Sequence, residues 1–190
     1  EHFRDARGER ITNHLTFATA EVVWMRKPIA ARSEEIVPYD IPLPPDVRGP
    51  LVDLAPEDVK RAIEISAFGG FLVSQQAARR MLPKAHGAIF LTGATAGVKG
   101  FALSATFAMG KFALRGLAQS MARELSPKGI HVAHFVIDGG IRSDARPIPA
   151  NDPDSLLDPD AIAETYWATL MQHRSAWSWE IEVRPWVEKF

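Results

Sequence analysis

The chain has 190 residues, 46% hydrophobic and 24% charged, a composition that suits one globular domain with a sizeable core and excludes a disordered chain. Twenty-two Lys and Arg against 23 Asp and Glu leave a net charge of −1, so no general attraction to nucleic acid or to an acidic membrane surface is expected. The absence of cysteine excludes disulfides, a thiol nucleophile and thiolate-bound metals.

The longest stretches free of Asp, Glu, Lys and Arg, residues 65–78 and 85–98, are 14 residues each. A bilayer span needs about 18 apolar residues, so no membrane partner is expected. The opening Glu1-His2-Phe3-Arg4-Asp5 carries no signal-peptide pattern, and a cytoplasmic location is expected. Residue 1 is not Met, so the start is expected to have been removed or to lie upstream.

Residues 1–50 form an atypical N-terminal segment, with two of the 13 glycines and five prolines between Pro38 and Pro50. Proline lacks an N–H and restricts its predecessor, so 37–50 reads as an extended connector. Residues 16–25 are apolar enough for one helix or strand. A domain over 51–190 follows. Pro56-Glu57-Asp58 starts a helix, with proline in the first turn and two acids at the positive end of the dipole. It is expected to run to Leu82, stopped by Pro83, with a weak spot at Gly69-Gly70. Residues 87–92 form a short strand and about 105–125 a second helix, whose Leu114, Leu117, Met121 and Leu125 lie on one stripe. Residues 130–137 are apolar on both alternating faces, as a buried parallel strand is. Asp158 caps a helix to about Gln172, and 178–183 is a last strand. This alternation predicts an α/β fold with a mostly parallel sheet.

Two segments carry candidate chemistry. Thr92-Gly-Ala-Thr-Ala-Gly97-Val-Lys-Gly100 follows a strand and is a near miss for a dinucleotide phosphate loop. Lys99 stands where the last glycine belongs, and no acid follows at a strand end to hold a ribose, so a plain strand-end turn is the preferred reading. Phe107 and Lys111, at i and i+4, share one helix face.

The order strand, Gly-rich loop, aromatic-x-x-x-Lys helix, Gly-Ile-x-Val strand, then Asp138-Gly139-Gly140-Ile141-Arg142-Ser143 resembles the second half of the short-chain dehydrogenase/reductase family. Four blocks carry the likeness, residues 65–71, 91–97, 107–125 and 129–143, within a resembling region of about 51–190. It implies a Rossmann-like three-layer α/β/α fold. The family's first half, with its Gly-rich phosphate loop and ribose-binding acid, has no match in residues 1–68. The expectation is therefore a truncated or rearranged form without the usual N-terminal nucleotide-binding strands, or one in which unrelated sequence replaced them.

The resemblance also implies roles. A family tyrosine exchanges a proton with the substrate oxygen, and here its position holds Phe107. The lysine that lowers that tyrosine's pKa and holds the nicotinamide ribose is Lys111; the serine that positions the substrate oxygen is replaced by Ala94, and the asparagine of the proton relay by Ser66. Gly139, Ile141 and Ser143 match the segment that contacts the nicotinamide, with Asp138 in place of proline. NAD(P) is the implied cofactor. Phenylalanine has no proton to give, and loss of a general acid–base group typically costs about 10²–10⁴-fold in rate. Thr95, Ser104 and Thr106 offer hydroxyls nearby, although surface or loop roles are preferred for them.

Other constellations are weaker. His131 and His134 point to opposite faces of their strand, against a metal pair, and no metal site is expected. No hydrolase motif occurs, so hydrolysis by a recruited hydroxyl ranks third. Trp177, Trp179 and Trp186 read as core and subunit contact. The resemblance implies a homodimer or homotetramer through the two long helices and the last strand, with Ala108, Gly110, Ala113 and Gly116 allowing close helix approach. Two functions follow: NAD(P)-linked carbonyl or alcohol oxidoreduction of a small-molecule substrate, and a non-catalytic dimeric scaffold or small-ligand binder on the same fold.

Overall fold

A computed structural model describes residues 47–188 and the two-residue strand β1, Val22–Val23. The 16–25 segment lies outside the described residues except for β1, and the 37–50 connector except for its last four. Four strands form the main sheet in the order β1, β2 (Gly87–Thr92), β3 (Ile130–Ile137) and β6 (Glu180–Val183). Strand β2 runs parallel to β3, from Gly87 opposite Ile130 to Thr92 opposite Phe135, and β3 runs parallel to β6. Strand β1 pairs antiparallel with β2 through Val22–Leu91 and Val23–Phe90. A separate parallel pair joins β4 (Gly140–Ile141) to β5 (Leu156–Leu157).

The first long helix is continuous but not uniform. Helix α1 (Pro56–Ile63) passes through a π-helical turn at Glu64–Phe68 into α2 (Gly69–Met81), and a 3₁₀ turn at Leu82–Lys84 ends it. The expected weakness thus lies one turn before Gly69-Gly70. There Ser66 returns its hydroxyl to the Ala62 carbonyl at 2.7 Å, the side-chain back-bonding that disturbs a helix ladder. Helix α3 spans Ala105–Leu125 as read from the sequence, and α4 spans Pro159–Leu170, with the Asp158 carboxylate accepting from the Asp160 N–H at 2.8 Å.

The sheet is covered on both faces, giving the three layers expected. Alternation along β2 and β3 sends Ile89, Leu91, Ile130 and Val132 to α2 and α3, where Ala77, Leu114, Ala118 and Leu125 meet them. It sends Phe90, Ala133, Phe135 and Ile137 to Ile162 and Tyr166 of α4. All eight residues of β3 are buried, which is why its sequence is apolar on both faces. Leu117 and Met121 complete the α3 stripe as partly buried neighbours. Gly129, at φ +85°, reverses the chain before β3 so closely that a Cβ there would sit 2.3 Å from the Ala85 carbonyl oxygen. No helix among the described residues is long and apolar enough to cross a membrane.

Candidate active site at the carboxyl ends of the parallel strands

Strands β2, β3 and β6 end on one side of the molecule, and the chain leaves them through three short segments. Ligands of open α/β sheets bind outside such strand ends. After β2, the backbone turns through a 3₁₀ bend at Thr95–Gly97, closed by the Gly97 N–H on the Ala94 carbonyl at 2.7 Å. Helix α3 begins only at Ala105, so the glycines of 93–100 do not open a helix as a phosphate loop does.

Lys111 is the centre of this end. It is 7% exposed, and its Nζ donates to the Thr92 carbonyl at 3.0 Å, tying α3 to the last residue of β2. A Cβ on Gly97 would lie 3.3 Å from the Lys111 carbonyl oxygen, so the bend packs directly on the lysine's own turn. The Phe107 ring lies beside the ammonium, 5.6 Å from Nζ to the ring centre, and the Arg48 guanidinium lies 5.8 Å from the same ring. Ser66 lies against the residue that precedes Lys111. A Cβ on Gly110 would come 2.4 Å from its hydroxyl, so the π-helical turn and α3 touch at the residue preceding Lys111. Gly110 therefore allows close contact between α3 and the π-helical turn within the chain.

Asp138 follows β3 and is buried, with its N–H on the Val183 carbonyl at 2.9 Å. Its Oδ1 accepts from the Thr95 hydroxyl at 2.5 Å, and its Oδ2 lies 3.8 Å from Nη1 of Arg184. A carboxylate, a hydroxyl and a guanidinium thus join the three strand ends. Gly139 turns at φ +148° against Pro185, and Ile141 lies in β4. Ser143, with Arg142, Asp144, Pro147 and Ile148, lines an open cleft of about 670 Å³. Of the other hydroxyls, Ser104 is buried before α3, and Thr106 Oγ1 is buried without a partner among the described residues.

His131 and His134 do point to opposite faces, and no group of three metal-ligating side chains exists among the described residues. The sequence gives little warning of what His134 does. Its Nδ1 meets Glu180 Oε2 at 3.0 Å, and Arg115 grips both Glu180 oxygens at 2.7 Å. The Arg115 hydrogen bonds hold the Glu180 carboxyl below its ordinary range, whereas burial pushes the His134 imidazole down. Lys111 and Arg115, one turn apart on α3, are the pattern that could have flagged an ionic partner across the sheet. Trp177 stacks flat on His131, while Trp179 and Trp186 are exposed, so Trp177 alone of the three packs inward.

Residues 46–147, more than half of the chain, match the short chain dehydrogenase family model. The chain belongs to the short-chain dehydrogenase family. A short-chain dehydrogenase of Rhodopseudomonas palustris is similar over 75% of this chain and 58% of its own, at 39% identity and a TM-score of 0.63. A 3-oxoacyl-[acyl-carrier-protein] reductase, MabA, of Mycobacterium avium is 36% identical over 91 residues, 48% of this chain and 35% of the reductase. The fold also matches an NAD⁺-bound xylitol dehydrogenase at a TM-score of 0.64, over 74% of this chain and 64% of that one, at 19% identity. The chain spans 26–44% of the length of the curated relatives it is compared with.

Proposed function

We propose that this short-chain dehydrogenase binds the nicotinamide end of NAD(P) at Lys111 and carries out oxidoreduction between an alcohol and a carbonyl without the family's tyrosine. One observation carries the reading: a buried ammonium, held on the Thr92 carbonyl at the carboxyl end of a parallel sheet, on the helical turn against which the bend after β2 packs. A lysine is costly to bury without anionic or carbonyl partners, and retaining one at this place fits a group that holds ribose hydroxyls. Gly139, Ile141 and Ser143 lie on the chain leaving β3, where the nicotinamide ring would be held. When bound, NAD(P) supplies the hydride acceptor or donor.

Nicotinamide nucleotide fluorescence and calorimetry test this. Saturable NADH or NADPH binding, weakened about tenfold by Lys111→Met, is expected; the methionine keeps most of the buried volume and removes the ammonium. No binding at millimolar nucleotide overturns the reading. A second reading, a non-catalytic scaffold or small-ligand binder, is favoured by Phe107 and Ala94, neither of which carries a proton to exchange.

We further propose self-association. Phe68, Phe71, Leu72 and Val73, around the start of α2, and Met109 and Phe112 on α3 are all exposed, and a Cβ on Gly116 would meet nothing. An apolar surface spread over two adjacent helices suits a second copy of the chain. Sedimentation of the wild type against Phe112→Glu checks it, with a shift to monomer expected.

A further inference from the structure

We propose that Thr95 and Asp138 form the proton-accepting pair for an alcohol substrate, with Thr95 receiving the substrate hydroxyl. The proposal rests on the nicotinamide-linked reading above and names the substrate form that the site accepts.

The pair stands between the first two strand ends, and its outward order is set by burial. Asp138 has a side chain 11% exposed with Arg184 beside it, whereas Thr95 in the bend is half-buried. A ligand at this end of the sheet therefore meets Thr95 before Asp138. The bend itself is fixed: the Val98 and Lys99 N–H groups both bond the Thr95 carbonyl at 3.0 Å, and Gly97 packs on Lys111.

Hydrogen counting then selects the ligand. A threonine hydroxyl has one hydrogen and two lone pairs. The hydrogen goes to Asp138 Oδ1, so Thr95 presents an acceptor to the site. A carbonyl compound offers no hydrogen to it, whereas an alcohol O–H does. The resulting chain runs from the alcohol O–H to Thr95 Oγ1, and from Thr95 O–H to Asp138 Oδ1. A bound oxidised nicotinamide would supply the acceptor for the substrate C–H and its electron pair, which would leave the C–O bond as C=O. The alcohol proton moves to Thr95 as the threonine proton moves to Asp138, which later returns it to water. Charge and atoms balance, and the negative charge that departs from Asp138 lies beside Arg184.

The full chain is tested in two ways. First, ¹⁹F NMR follows trifluoroethanol, a strong hydroxyl donor, at millimolar concentration and without nucleotide. Saturable binding is expected in the wild type and Thr95→Ser, and about tenfold weaker binding in Thr95→Val, the loss of one hydrogen bond. Asp138→Asn should keep the binding, since its amide oxygen still accepts from Thr95. Second, nucleotide reduction is followed with cyclohexanol, 2-propanol and benzyl alcohol. Asp138→Asn should slow it about 100-fold, because an amide takes no proton. The split between kept binding and lost rate is what a merely structural role for Asp138 would not produce. Wild-type trifluoroethanol binding in Thr95→Val, or an unchanged rate in Asp138→Asn, overturns the proposal. So does a nucleotide-saturated chain that oxidises none of the three alcohols. If nucleotides fail to bind while trifluoroethanol binding still depends on Thr95, the nicotinamide reading falls and the alcohol site stands.

Discussion

On one face of β3, His134 turns toward α3 and meets Glu180, which Arg115 grips at both oxygens. On the other face, three residues earlier, His131 lies flat on Trp177, ring centres 4.7 Å apart and 2° from parallel, with Nε2 on the Ser178 carbonyl at 2.9 Å. Both imidazoles are buried, and in each one ring nitrogen is partnered while the other has no partner among the described residues. One face thus buries its histidine in an ionic cluster and the other among aromatic rings. A neutral imidazole has one N–H donor and one acceptor nitrogen; in each setting an oxygen can take the N–H, which leaves only the acceptor nitrogen unpaired while the ring stays uncharged. The ionic cluster additionally joins α3, β3 and β6 beside the turn of Lys111, linking the site to the sheet that carries it. The aromatic face continues through Phe90, Phe135 and Tyr166, whose hydroxyl shares a 2.8 Å hydrogen bond with the Thr92 hydroxyl at the end of β2.

The largest effect that would break this contrast is expected on the aromatic face. Phe135 is fully buried, stacked on Tyr166 with ring centres 3.6 Å apart and set edge-on to Phe90 at 5.4 Å. Phe135→Ala should cost about 3–5 kcal/mol in denaturant unfolding, the usual range for emptying an aromatic core site. Glu180→Ala should cost less, about 2 kcal/mol. Removing one partner of a fully buried ion pair costs about 3–5 kcal/mol, and here the side chains of Arg115 and Glu180 are 34% and 19% exposed, so water replaces part of the loss. If Glu180→Ala proved the costlier of the two, the ionic cluster rather than the aromatic face would be the principal support of β3.

Much of this architecture is legible in the residues, and the reason differs from place to place. Strand β3 announces itself because a strand covered on both faces must be apolar at every position, and α3 because its leucine stripe matches the 3.6-residue period. Lys111 and Phe107 are legible as a pair because helical spacing alone brings i and i+4 together. The Thr95–Asp138 bond and the Arg115–Glu180–His134 cluster are not, since each joins residues more than 40 positions apart whose meeting depends on sheet register. The π-helical turn at Glu64–Phe68 escapes as well: glycine propensity points to Gly69-Gly70, yet the ladder is disturbed where Ser66 bonds back to Ala62 and α3 presses Gly110 against it.

The smallest expected effect is also the one that separates the two faces most cleanly. Burial pushes both imidazoles below the ordinary histidine value, His131 against its bond to Ser178 and His134 against its bond to Glu180. In the unfolded chain each titrates near pH 6.5, so as the pH falls through that value the unfolded state takes up protons that the folded state refuses. The stability from these groups is therefore complete above about pH 6.5 and declines below it, by at most about 1.4 kcal/mol per pH unit for each histidine. Glu180 has the opposite chemistry but the same direction of loss: its depressed carboxyl contributes above the unfolded carboxylate value and fails only as the pH falls further, in a lower window. His131→Phe keeps an aromatic ring on Trp177 and removes one titrating group while leaving the Glu180 cluster intact. Urea unfolding at a series of pH values from 7 to 5 should show the acid slope roughly halved in this variant. An unchanged slope would assign the whole acid sensitivity to the ionic face, and a slope near zero would assign it to the aromatic one.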